Sequence, residues 1–335
     1  MTGRELVSAA LSHIETEKVP CFCDFTQKEH DKMVVFMGEE KLKALLPDTI
    51  FGDQYAGEPR LMEGRPEHYQ DDFGVIWDRS GVDKDIGVVA NHVIPEPDMK
   101  YWHEPEAAAA KMHAAAKRAS EQAGDRFSFV GIGFSTFERY WTLCGMENGL
   151  AYMLTDPDFA EALFGAICDF NLKMIDIVLQ YPVDAVYFGD DWGQQKGLIM
   201  GPALWRKFIK PCLAKMYGRV RQAGRFVIQH SCGDIEQVYG DLIEIGLHCH
   251  QTFQPEIYDI GAVKKKYGDK LAFWGAISTQ RLLPYATPEE VTAEVKRIIR
   301  VMKPGGGYIA SPTHAVPGDV PCENIVAMLK AFQEQ

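Results

Sequence analysis

The amino-acid sequence predicts an α/β protein built as a closed barrel of parallel strands, each followed by a helix. Three observations lead there. From residue 126 onward, short apolar runs alternate with longer amphipathic stretches, the rhythm of parallel strands joined by right-handed crossovers. At 335 residues with 46% hydrophobic residues, the chain is long enough for about eight such units around one core. Finally, the apolar runs end repeatedly on His, Cys, Asp or Gln, as expected where active-site groups gather at the carboxyl ends of barrel strands.

Val19–Phe25 (VPCFCDF) is the first strand expected. Phe127–Gly133, Val183–Gly189, Phe226–His230, Leu247–Phe253, Leu271–Ile277 and Gly307–Ser311 follow. These apolar runs are bounded by turn residues, the mark of buried strands. The helices expected between them are Asp158–Gln180, Pro202–Ala223, Ile235–Ile245, Ile257–Tyr267 and Pro288–Met302. The last opens with an N-cap threonine, Thr287, then Pro288 and two acids. Residues 26–125 interrupt the rhythm and are rich in Gly, Pro, Asp and Trp. They read as an irregular insertion over the barrel mouth, a lid or docking surface, within a single domain spanning 1–335.

A net charge of −12 and a pI near 5.3 argue against a nucleic-acid partner, which needs a basic face. No apolar run approaches the roughly 20 residues that span a bilayer. The N-terminus, with its acids, reads as an amphipathic helix rather than a signal peptide. A cytoplasmic protein is expected. The eight cysteines have no framework spacing, so a special one is a ligand or nucleophile rather than half of a disulfide.

The segment Arg225-Phe-Val-Ile-Gln-His230-Ser-Cys232-Gly233 concentrates the chemistry. Two residues apart, His230 and Cys232 project from one face of a strand end, and imidazole with thiolate suits zinc. His314, in Ser311-Pro-Thr-His314-Ala-Val-Pro, is the candidate third metal ligand. His248-Cys249-His250 reads as packing, because alternation points Cys249 away from both histidines. Asp190 and Asp191 end a strand on adjacent carboxylates facing differently, so one should enter the site; with Asp24 they are the catalytic candidates. Tyr187, Trp192, Gln194, Gln254 and Trp274, at or near strand ends, are the substrate-binding candidates, the aromatic ones as walls.

Several phrases together carry a resemblance: FERYWTLCGMEN (137–148), FGDDWGQQKGLIMGPALWRKFIKP (188–211), HSCGD (230–234), TFQPEIYDI (252–260), WGAISTQRLLPYATPEEV (274–291) and VPCENI (320–325). The chain resembles the uroporphyrinogen decarboxylase superfamily, and within it the corrinoid-dependent methyltransferase and O-demethylase branch. The resemblance implies a TIM barrel with zinc on a His-x-Cys pair, matched by His230 and Cys232, and a later third ligand. That third ligand is typically a cysteine; here the equivalent place holds His314, with Cys322 as the competing candidate. The decarboxylases carry an arginine-rich phrase at the end of the first strand, whereas Cys21-Phe-Cys-Asp24-Phe-Thr-Gln has no arginine. A porphyrinogen polycarboxylate would lack its bidentate cations there. The resemblance therefore implies zinc-assisted methyl transfer from a small methylated substrate, a methoxy-aromatic foremost, to the cobalt of a corrinoid on a separate protein. That corrinoid protein is expected to dock around Asp72–Arg79 and Asp190–Gln195. Two alternatives remain open: transfer from a methyl-corrinoid protein to a thiol or folate, and a non-catalytic partner of the corrinoid protein.

Overall fold

Seven parallel strands form the main sheet in the computed structural model, which describes residues 1–81 and 87–335. They are β1 (Ile50–Tyr55), β2 (Phe127–Ile132), β3 (Ala185–Gly189), β4 (Phe226–His230), β5 (Cys249–Phe253), β6 (Ala272–Ile277) and β7 (Tyr308–Pro312). Each strand hydrogen-bonds its sequence neighbours and every pair is parallel. The six strands expected after residue 126 all form, within two residues of their expected limits. Helix Pro288–Met302 has the expected bounds, with a capping box between Thr287 and Glu290.

The expected first strand forms only in part. Residues 21–25 run alongside β7 and the segment after it through two isolated bridges, Cys21 with Ala310 and Phe25 with Val316. No strand ladder among the described residues joins this segment to β1, so the wall is a seven-stranded sheet plus an extended eighth segment. These two edges face each other across the cavity described below.

Side-chain alternation along the strands divides the apolar residues into two cores. Inward-facing Ile50, Phe127, Ala185, Ile228, Cys249, Ala272, Trp274 and Ile309 pack together inside the sheet. Val7 and Leu11, from the N-terminal helix Gly3–Leu11, join this inner core. Outward-facing residues such as Val130, Val186, Phe188, Val227 and Phe273 join the larger core under the helices.

Residues 26–125 are not the uniformly irregular insertion expected from composition. They contain two helices, Gln27–Met37 and Glu39–Leu45, then β1, and later helix Ala108–Gln122 packed on β1. A full strand–helix unit of the sheet therefore lies inside this segment. Its strand escaped notice because its inward positions, Gly52 and Gln54, are not apolar. The true excursion lies between β1 and helix Ala108–Gln122. It carries a small antiparallel sheet of Arg60–Leu61, His68–Gln70, Ile76–Asp78 and Val88–Val89; residues 82–86 of the expected insertion lie outside the described residues. A buried ion pair ties the excursion to the barrel. Asp71 meets Arg139 Nη1 at 3.1 Å and also accepts the backbone N–H groups of Phe73 and Val75. The Arg139 guanidinium lies 3.7 Å from the Phe73 ring centroid and donates to the Ala56 carbonyl. Buried charges persist only when satisfied in this way. No helix among the described residues is long and apolar enough to cross a membrane.

Candidate metal centre and active-site cavity

Strand β4 ends by delivering His230 to the inside of the sheet, and the chain turns at Gly233 with φ of +76°, a conformation that glycine alone adopts freely. A Cβ on Gly233 would stand 2.3 Å from the Gly193 carbonyl carbon, and a Cβ on Gly193 would stand 2.5 Å from the Cys232 oxygen. Both glycines are thus required where two loops touch backbone to backbone. The Cys232 N–H donates to Asp191 Oδ1 at 2.8 Å, and the Gly233 N–H to Gln254 Oε1 at 2.7 Å. This pinned loop sets Cys232 Sγ 3.6 Å from His230 Nε2. His314, from the loop after β7, brings its ring centroid within 5.9 Å of that of His230 at 84°. One ligand atom from each of His230, Cys232 and His314 lies within 4.8 Å of the others.

The tautomer of His230 is set from behind. Gln251 Oε1, on β5, accepts a hydrogen bond from His230 Nδ1 and another from the Tyr187 hydroxyl at 2.7 Å. With Nδ1 donating to Gln251, Nε2 is the nitrogen that faces Cys232 and Asp191 Oδ1, the latter at 3.3 Å. An outer partner that fixes the far nitrogen is the usual support of a metal-binding histidine. Two imidazoles and a thiol converging in this way fit a borderline-soft divalent ion such as zinc, with a position left for substrate.

The electrostatics are those of a tightly packed charged cluster. Burial works against charge on His230, but Tyr187, Asp191 and Cys232 outweigh it and hold its pKa well above the ordinary value. Burial likewise opposes ionisation of Asp191; contact with His230 and the Cys232 N–H overrides it and keeps that pKa at about 2. At His314, burial and the nearness of His230 push the pKa down.

Beside the triad lies a cavity of about 570 Å³ between the 22–24 segment and β1. Its floor is aromatic. Phe22 stands edge-on to Trp274 at 5.2 Å, Phe129 stacks on Tyr187 at 5.1 Å, and Tyr187 lies 6.3 Å from Trp274. His230, His314, Gln251 and Asp24 reach the same space. None of its lining residues comes from 56–107, so among the described residues the excursion does not wall this cavity.

The structure sorts the candidates. His230, Cys232 and His314 come together; Asp24, Tyr187 and Trp274 line the cavity; Asp191 touches the triad. Asp190 does not, and its assignment as a catalytic group is corrected. It is fully buried and accepts hydrogen bonds from Thr136 Oγ1, the Phe137 and Glu138 N–H groups and Trp192 Nε1. It caps the first turn of helix Phe137–Cys144, and burial pushes its own pKa up. Trp192 is likewise corrected from substrate wall to core, fully buried against Trp205 at 5.5 Å. Gln194 is exposed in a two-stranded hairpin and does not line the cavity. Gln254 binds the Cys232–Gly233 loop rather than the cavity. Cys322 sits buried at the start of helix Cys322–Gln333, outside the triad. His250 is buried between the Tyr239 hydroxyl and the Ser231 carbonyl, a packing role as expected.

Two residues of the site were not selected from sequence. Gln251 lies within the expected strand Leu247–Phe253, yet nothing in the sequence links it to His230, 21 positions earlier. Glu138 lies in the FERYWTLCGMEN phrase. Burial, with Asp191 and Asp190 nearby, pushes the pKa of its carboxyl well above the ordinary range.

A curled parallel sheet with a metal-competent cluster at the carboxyl ends of its strands places the molecule among barrel-type α/β proteins with a site at the strand ends. The particular family follows from sequence comparison. Residues 80–335 match the uroporphyrinogen decarboxylase (URO-D) family, and the chain belongs to it. A Methylococcus capsulatus uroporphyrinogen decarboxylase is 25% identical over 244 residues, covering 69% of this chain and 66% of that protein. A Methanosarcina mazei methylated-thiol–coenzyme M methyltransferase is 22% identical over 192 residues, covering 57% of this chain and 49% of that protein. Among solved structures, a methyltransferase from Methanosarcina mazei superposes with a TM-score of 0.74 at 17% identity, over 100% of this chain and 99% of that one. This likeness is one of fold.

Proposed function

We propose that the chain is a zinc-assisted methyltransferase that moves a methyl group from a small methylated substrate, a methoxy-aromatic foremost, to the cobalt of a corrinoid held on a separate protein. The observation that carries this reading is the convergence of His230, Cys232 and His314 beside an aromatic-floored cavity. A zinc ion bound there would supply Lewis acidity at the heteroatom that loses the methyl group. The chain's own residues do the rest. Gln251 holds His230 in the ligating tautomer, and Tyr187 and Trp274 seat a flat substrate. Asp191, which touches His230 and accepts the Cys232 N–H, fixes the loop that presents both ligands. Similarity to the Methanosarcina methylated-thiol–coenzyme M methyltransferase supports a methyltransferase-type enzyme. It also favours, as second reading, transfer from a methyl-corrinoid to a thiol. Against porphyrinogen decarboxylation stands the first wall segment, Cys21 to Gln27, which offers no arginine to a polycarboxylate.

The test is metal analysis joined to a corrinoid-methylation assay over methoxy-aromatics, methylamines and methylated thiols. About one zinc per chain and methylcorrinoid formation with a methoxy-aromatic are expected. Zinc-free protein active as purified, or no transfer from any donor, would overturn the reading.

A further inference from the structure

The cavity has a charge character that the family resemblance does not supply. Its lining includes two carboxylates, Asp24 and Asp53, but no lysine and no arginine. Asp53 is taken from outside the wall by Arg118, whose Nε and Nη2 meet its two oxygens at 2.5 and 3.2 Å. Asp24 is exposed at the rim and has no ion-pair partner among the described residues; its Oδ1 accepts only the Phe25 N–H, at 2.8 Å. Below it lie Phe22, Phe129, Tyr187 and Trp274. The charge of an ion held on the triad would be balanced by the Cys232 thiolate and the adjoining Asp191 carboxylate, so an anion entering this space would lose water and find no lysine or arginine, whereas a cation would meet ring faces and a free carboxylate.

Resting on the methyl-transfer reading, we infer that this cavity selects its methyl donor by charge: it takes an uncharged or cationic aromatic donor and excludes anionic ones. Asp24 is the residue that sets the preference, and the aromatic floor accepts the body of the donor. The consequence is sharp for substrate identity. Methoxybenzoates and sulfonated donors are poor ligands, while methoxyarenes bearing an amine or no ionised group are good ones.

Three para-substituted anisoles of different charge test this on the zinc-loaded protein at low salt: 4-methoxybenzenesulfonate, 4-methoxytoluene and (4-methoxyphenyl)trimethylammonium. Dissociation constants come from calorimetry, with quenching of tryptophan fluorescence as a second readout. The sulfonate coordinates metal weakly, so its affinity reports the cavity. It should bind roughly tenfold or more weakly than the uncharged probe, and the cation severalfold more tightly, the scale of one charge at close range in a partly wet site. Asp24→Asn should reduce the cation-to-neutral ratio severalfold, and Asp24→Lys should shift the ratio toward the sulfonate. Asp24 is exposed, so both variants should fold, as circular dichroism can verify. A sulfonate binding as tightly as 4-methoxytoluene, ratios unmoved in both variants, or no binding by any probe would overturn the inference. Methyl transfer plays no part in this readout. Probes ranked by charge on a protein that methylates no corrinoid would sink the methyltransferase reading alone; active transfer with no charge ranking would sink this inference alone.

Discussion

Replacing Gln251 by leucine tests the geometry behind the metal centre without touching a ligand. Gln251 Oε1 accepts from both His230 Nδ1 and the Tyr187 hydroxyl, and leucine fills similar space while offering neither an acceptor. Tyr187 lines the cavity, so water can take its hydrogen bond. The His230 Nδ1–H loses its fixed acceptor, and its ring is then free to turn or change tautomer. Loss of such an outer partner costs about 10- to 100-fold in metal affinity, which is roughly 1.4–2.8 kcal/mol. The fold should lose about 1–3 kcal/mol for one donor left unpaired. Zinc affinity measured by competition with a chromophoric chelator, alongside urea unfolding of the metal-free protein, separates the two effects. Zinc affinity equal to that of the unaltered protein would show that Gln251 does not orient His230, and the argument for its tautomer would collapse.

Alanine at His230 or Cys232 should abolish both zinc binding and methyl transfer while far-UV circular dichroism stays unchanged; full zinc content in either variant would dismiss the triad. His314→Cys should retain zinc, His314→Ala should weaken it strongly and Cys322→Ala should leave it intact, with the reverse pattern pointing to Cys322 as the ligand. Burial lowers the pKa of His248 to about 4 and of His250 to about 3. Both are neutral when folded but take up protons near pH 6.5 when unfolded, so stability should fall as pH drops from about 6.5 toward 4. The slope these two contribute approaches about 1.4 kcal/mol per pH unit for each histidine, and a urea-unfolding pH dependence between pH 7 and 5 left unchanged by His248→Gln would refute it. If the strand-end face docks a corrinoid protein, protein-bound corrinoid should be methylated faster than free cobalamin; equal rates with no complex detectable by titration would remove the docking claim.

Local pattern determined much of this protein. Apolar runs bounded by glycine set the six strands from Phe127 to Pro312, because a parallel strand covered on both faces needs a continuous apolar run. A threonine, a proline and two acids set the start of helix Pro288–Met302 through local capping alone. His230 and Cys232 were legible because they are neighbours on one strand end. Tertiary structure decided whatever depends on two distant segments meeting. Strand β1 was hidden because its inward positions, Gly52 and Gln54, face a cavity rather than a packed core. Asp190 and Asp191 look alike in sequence, yet helix Phe137–Cys144 claims the first as its cap and the loop at Cys232 claims the second. Which way each carboxylate turned was settled by donors about 40 to 50 residues away in the chain. The same holds for Gln251 and for Asp24: their chemistry comes from what the folded sheet places opposite them, and no local pattern encodes it.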